Sequence, residues 1–159
     1  MIDQETSDCM LSYFIQLLEF YRKFLDFEKE KLGFLEQDRL DQLDECIKRE
    51  QVFVLKARGL EQERAELMLK ISQPQARFRE LIPLFPSGSQ EQMRDLYEKL
   101  SSVLTDFQET SRKSNLLLEQ KLHQSSAVLN QLKGRPELQK MYGEKLHSSS
   151  SPAFFSKKI

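Results

Sequence analysis

Residues Leu11–Leu35 read LSYFIQLLEFYRKFLDFEKEKLGFL, and the spacing of their apolar side chains decides the fold. Leu11, Phe14, Leu18, Tyr21, Leu25, Leu32 and Leu35 follow one another at steps of three and four, broken once where Glu28 stands. That is the period of one helical face. A second row, Tyr13, Phe20, Phe27 and Phe34, repeats every seven residues with Phe24 between its members. Together the rows span an apolar arc much wider than the ~100° that one-sided packing needs. The spacing predicts a helix over 8–36 that touches two neighbours, or one neighbour and a ligand. The aromatic row is either core or a surface for a partner.

Working outward, Gln37-Asp38-Arg39 is a break short enough for an antiparallel helical hairpin. Asp38 suits an N-cap, and Asp41 adds negative charge at the positive end of the next helix. That helix is expected over 40–71. Its seam reads Leu43, Ile47, Val54, Ala57 and Met68, interrupted by Glu50, Glu61 and Arg64, and a flanking row runs Cys46, Phe53, Leu60, Leu67. The pair reads as an antiparallel coiled coil with an imperfect seam. Gly59 inside it costs ~1 kcal/mol relative to alanine and marks a close approach or nothing at all.

Ser72-Gln73-Pro74 stops the second helix. A short amphipathic turn over 76–85 follows, carrying Phe78, Leu81 and Ile82, and Pro86-Ser87-Gly88 is a loop. Ser89 and Gln92 have capping-box spacing and open a third long helix, expected over 90–133 and stopped by Gly134 and Pro136. Its first half, with Met93, Leu96, Leu100, Val103, Leu104 and Phe107, is an ordinary core face. A polar waist over 109–114 separates it from Leu116-Leu117-Leu118, Leu122, Val128, Leu129 and Leu132. This leucine-rich half either folds alongside the hairpin or protrudes and takes a partner helix into a groove. The fold class is therefore all-α: a long antiparallel hairpin plus a third long helix, in a coiled-coil-like bundle. Ser148–Ser151 forms a low-complexity linker, so 144–159, including Phe154 and Phe155, is expected to be a flexible C-terminal tail beyond a helical domain over 1–143.

Composition agrees. Charged residues make up 31% of the 159, above the usual ~25%, and there are only five glycines and five prolines to break helices. Lys and Arg (24) balance Asp and Glu (25), so no basic footprint for nucleic acid or anionic lipid exists. No run approaches the ~18 apolar residues of a membrane span, and the acidic start Met1-Ile2-Asp3-Gln4-Glu5 is no secretory signal, so a cytoplasmic location without membrane insertion is expected. Cys9 and Cys46 fall near opposite ends of the hairpin, roughly 30 Å apart at 1.5 Å per helical residue, too far for a disulfide. Both are expected to be buried free thiols.

No catalytic constellation is present. His123 and His147 lack metal-ligand spacing to cysteines or carboxylates, and no glycine-rich loop precedes a helix. The carboxylates form solvated i,i+4 pairs such as Glu19–Lys23. A non-enzyme with no cofactor and no metal is expected.

Several segments together carry a family resemblance. The turn Leu35-Glu36-Gln37-Asp38-Arg39-Leu40-Asp41-Gln42-Leu43, the stretch Lys48-Arg49-Glu50-Gln51, the segment Leu60-Glu61-Gln62-Glu63-Arg64 and the run Asn115-Leu116-Leu117-Leu118-Glu119 occur in this order. Tyr142-Gly143 is a partial echo of a C-terminal tyrosine and glycine region. In order and spacing, over roughly residues 10–143, the chain resembles the FlgN-type export chaperones of the bacterial flagellum. The resemblance implies a cytosolic chaperone for hook-associated proteins of the hook–filament junction, binding their helical C-terminal segments and delivering them to the type III export gate. On that likeness the substrate-binding residues would be Asn115, Leu116, Leu117, Leu118, Leu122, Val128, Leu129 and Leu132. Tyr142 would dock on the gate component, or else pack locally on Leu138. The rival reading is a structural coiled-coil subunit that self-associates or tethers partners. Glu50, Glu61 and Arg64 in the seam speak against it, because obligate coiled coils keep those positions apolar.

Overall fold

The computed structural model of the chain describes residues 1–124. Three long helices dominate them: α1 (Gln4–Glu36), α2 (Leu43–Lys70) and α4 (Ser87–Gln124), with the single turn α3 (Phe78–Leu81) between the last two. No strand occurs among the described residues. The expected boundaries shift at each end for identifiable reasons. α1 starts at Gln4, before the expected residue 8, because the Asp3 carboxylate accepts from the Thr6 N–H at 2.8 Å and from the Thr6 hydroxyl at 3.0 Å. α4 starts at Ser87, so Ser89 lies in its first turn and donates its N–H to the Pro86 carbonyl instead of opening a capping box. The expected extension of this helix to 133 lies outside the described residues.

Asp38 is not an N-cap. It adopts a left-handed φ of 54° after α1, with its N–H on the Leu35 carbonyl and the Arg39 N–H on the Phe34 carbonyl. These two bonds are a Schellman ending, which satisfies the last carbonyls of α1. A 3-10 turn, Leu40–Gln42, then leads into α2. Ser72 ends α2 in the same way, with φ 57° and the Gln73 N–H on the Met68 carbonyl.

α2 returns antiparallel to α1, and α4 runs parallel to α1 on its other side. Phe24 marks where the three meet: its ring stacks on Phe53 of α2 at 4.7 Å and meets Phe107 of α4 edge-on at 4.5 Å. Tyr13, Phe20 and Phe27 are all buried, and Phe34 is half-buried against the core. The aromatic row is therefore core, and the wide apolar arc is explained by two neighbours. α1 lies closer to α4 than to α2. Rings of Phe20, Phe24, Phe27 and Phe53 fill the space between α1 and α2, whereas α4 brings the small buried residues Ser111 and Ser114 inward. At the lower end Phe78 of α3 packs on Phe14 at 4.2 Å, and the Ile2 N–H donates to the Leu84 carbonyl at 2.8 Å.

The breaks in the two apolar seams answer each other. Glu28 of α1 and Glu50 of α2 are both fully buried, and Lys31 stands between them, 3.1 Å from Glu28 and 3.2 Å from Glu50. Arg64 is also turned inward, where its guanidinium donates to the Ala76 carbonyl at 3.4 Å and burial lowers its pKa. Glu28 and Glu50, which seemed to spoil the seams, thus share Lys31 as an internal partner. Tyr13 completes the polar interior with a 2.9 Å bond from its hydroxyl to the Leu60 carbonyl. Cys46 is buried and free, as expected, but Cys9 is exposed, because it lies off the apolar arc of α1. Gly59 marks no close approach: a Cβ there would meet nothing within 4 Å.

Candidate functional site

The buried ion cluster divides the core. Below it lies the large aromatic cluster. Above it, at the hairpin tip, Leu35, Leu43, Ile47 and Leu118 form a small cluster of their own, with Leu40, Leu117 and Leu122 half-buried against it. The polar waist of α4 lies at the level of this division. Its Ser111 and Ser114 are buried, so the inward face continues through the waist as small side chains to Leu118.

The leucine-rich run therefore does not protrude as a unit. Successive helical residues are ~100° apart, so three consecutive leucines must point in three directions. Leu118 is buried at 1% exposure, Leu117 is half-buried on the flank, and Leu116 faces outward at 49%. Asn115 is half-buried, and Leu122, one turn beyond Leu118, returns to the flank of the tip cluster. Val128, Leu129, Leu132 and Tyr142 lie outside the described residues, as does the domain boundary expected at 143. Of the five expected positions that are described, Leu117 and Leu122 share an apolar rim around buried Leu118, and Leu116 stands apart.

Leu40 belongs to that rim and was read from sequence only as part of the turn. Its place three and seven residues before Leu43 and Ile47, on the helical spacing of the tip cluster, is the signal that could have identified it. The rim has a charged edge: Lys121 of α4 pairs with Asp38 across the tip. The Gln42 side-chain amide, at 3.2 Å, and Arg39, at 3.4 Å, hold the Asp41 carboxyl below the usual range. Chemically this is a shallow hydrophobic surface bordered by salt bridges. Among the described residues no cluster of His, Cys, Asp and Glu could hold a metal, and no helix is long and apolar enough to cross a membrane.

A family model described as FlgN protein matches residues 6–148, most of the chain. The chain belongs to the FlgN family. It is accordingly a flagellar export chaperone of all-α architecture, and FlgN-family membership is membership of a chaperone family, not of an enzyme family. No curated protein and no solved structure matches the chain.

Proposed function

We propose that this FlgN-family chaperone captures the helical C-terminal segments of hook-associated proteins on the apolar rim at the hairpin tip, and hands the loaded complex to the export gate in the cytoplasm. The observation that carries the reading is the half-burial of Leu40, Leu117 and Leu122 around a filled tip cluster. These side chains are held in place by Leu118 below them yet keep apolar surface open to a partner. Asn115 and Leu116 lie on the same stretch of α4. In this proposal Val128, Leu129 and Leu132 prolong the surface, and Tyr142 contacts the gate.

The energetics are adequate. Covering ~400 Å² of apolar surface at ~25 cal/mol per Å² yields about 10 kcal/mol before the costs of ordering the partner are subtracted. A helix whose apolar face would otherwise drive self-association is thereby kept from water.

The test is calorimetric titration of the full chain with a peptide corresponding to the C-terminal helix of a hook-associated protein. A Leu117→Ser/Leu122→Ser variant should keep its helical circular dichroism, because neither side chain is fully buried, and should bind at least about tenfold more weakly. Undiminished binding by a folded variant would remove these residues from the site. Tyr142→Ala should leave peptide binding intact while reducing export.

A further inference from the structure

The three leucines at the tip end of α4 cannot all meet one partner helix while the tip is closed. Leu118 points into the hairpin, where it joins Leu35, Leu43 and Ile47. At ~100° per helical residue, Leu117 lies about 100° to one side of it and Leu122 about 40° to the other. The two half-buried leucines therefore flank the hairpin on opposite sides, about 140° apart, with Leu118 sealed between them. A helix laid on the closed rim reaches Leu117 or Leu122, not both. Turned away from the hairpin, the same three residues form one continuous apolar face, and Leu35, Leu43 and Ile47 are bared opposite it.

The waist of α4 suits such a turn. Thr110, Ser111, Ser114 and Asn115, within residues 110–115, are all weak helix formers, and hydroxyl side chains inside a helix favour bending. The waist faces inward with the small side chains of Ser111 and Ser114 in place of leucines. Ser114 is fully buried, and its hydroxyl oxygen has no hydrogen-bond partner among the described residues, a cost that ends once water reaches it. On the hairpin side, the Glu28–Lys31–Glu50 cluster separates the tip from the aromatic core, so the tip can open while the packing around Phe24 stays in place. The clasp across the tip is the pair of Lys121 with Asp38, whose carboxylate is exposed, and pairs this open to water hold weakly.

We infer that α4 is hinged at residues 110–115 and that its outer end, residues 116–124, is a gate. It swings off the hairpin, and the substrate helix inserts between Leu117, Leu118 and Leu122 on one side and Leu35, Leu43 and Ile47 on the other. The inference rests on substrate capture at the tip, proposed above; it adds that the rim is where contact begins and that the closed tip is the resting form. The measured affinity is then the intrinsic affinity reduced by the fraction of chains with the gate open. Until a substrate arrives, closure keeps both apolar faces of the site from water.

The experiment is double electron–electron resonance on the full chain in a Cys9→Ser/Cys46→Ala background, with circular dichroism on each variant to confirm folding. Nitroxides are carried at exposed positions, either across the tip (Glu45→Cys with Gln120→Cys) or below the waist (Arg22→Cys with Asp106→Cys). A saturating peptide corresponding to the C-terminal helix of a hook-associated protein should lengthen the tip distance by about 8–10 Å, the spacing of packed helix axes, and leave the lower distance unchanged. Ser114→Ala, which deletes the unpartnered hydroxyl, should raise the urea midpoint and weaken peptide binding at least about threefold, because it favours the closed tip. Peptide that binds with the tip distance unchanged overturns the gate and leaves capture on the closed rim. Lengthening of both distances overturns it as well, by making the whole bundle open. A stabilised Ser114→Ala protein that binds as tightly as wild type also overturns it. Failure of wild type to bind the peptide at all removes substrate capture itself, and the gate with it.

Discussion

Replacing Lys31 by methionine isolates the contribution of the buried ion cluster. Lys31 is 1% exposed and stands 3.1 Å from the Glu28 carboxylate and 3.2 Å from that of Glu50, both of which are fully buried. At an effective dielectric constant of ~20, each contact at ~3.2 Å is worth roughly 5 kcal/mol of Coulomb attraction before relaxation. Methionine keeps the aliphatic volume but removes the cation, leaving two carboxylates facing each other without water. Breaking a buried pair this way costs about 3–5 kcal/mol, a large part of the ~5–15 kcal/mol that holds a domain together. With a urea slope of ~2 kcal/mol per M, the unfolding midpoint should fall by about 2 M. Urea titration followed by circular dichroism reads this directly. The triple variant Glu28→Leu/Lys31→Met/Glu50→Leu should recover wild-type stability or exceed it by about 1–4 kcal/mol, because none of the three charges of the cluster then remains buried. A Lys31→Met protein within about 1 kcal/mol of wild type would refute the assignment of Lys31 as the counter-charge that both seams depend on.

Three further outcomes are expected. Ser72→Gly should stabilise the fold by about 0.5–1 kcal/mol in thermal or urea unfolding, because it relieves a left-handed serine at φ 57° without disturbing the Schellman bonds. Burial raises the pKa of Tyr13 and of Tyr21 above the ordinary phenol value of about 10. The folded state therefore holds these protons more tightly than the unfolded one, and the two tyrosines contribute no pH dependence below pH ~10 and a progressive loss of stability above it, with ionisation at 295 nm tracking unfolding. Cys9 should react promptly with a thiol reagent, whereas Cys46, buried and with its pKa raised chiefly by desolvation, should react only as fast as the protein opens.

Much of the fold was legible in the apolar spacing alone. Two rows on α1 demanded two neighbours, and Phe24 meets both, on Phe53 and Phe107. The ends were less legible because they depend on single residues: Asp3 with Thr6 starts α1, and the left-handed turns at Asp38 and Ser72 end α1 and α2. Residues of this type serve equally well as caps or turn formers, so spacing did not separate the roles. Glu28 and Glu50 read as defects because a seam is judged one helix at a time, whereas Lys31 compensates both at once across the hairpin. The leucine run was legible as a special segment but not as a site. Apolar density says nothing about direction, and only the helix's own rotation assigns Leu118 to the core, Leu117 to the rim and Leu116 to the outside. The seam breaks, moreover, no longer weigh against self-association, since Glu50 and Arg64 are satisfied within the chain.

The central claim is that the hairpin tip receives the substrate helix, and amide hydrogen exchange on the full chain with and without a hook-associated C-terminal peptide tests it most directly. The tip cluster is small and separated from the main core by buried charge, so its amides should exchange faster than those around Phe24 in the free protein. On binding, protection should rise around Leu40–Leu43 and Asn115–Leu122 and stay unchanged around Phe14 and Phe78. Saturating peptide that protects only the α3 end of the bundle, with the tip amides exchanging as before, would contradict the account.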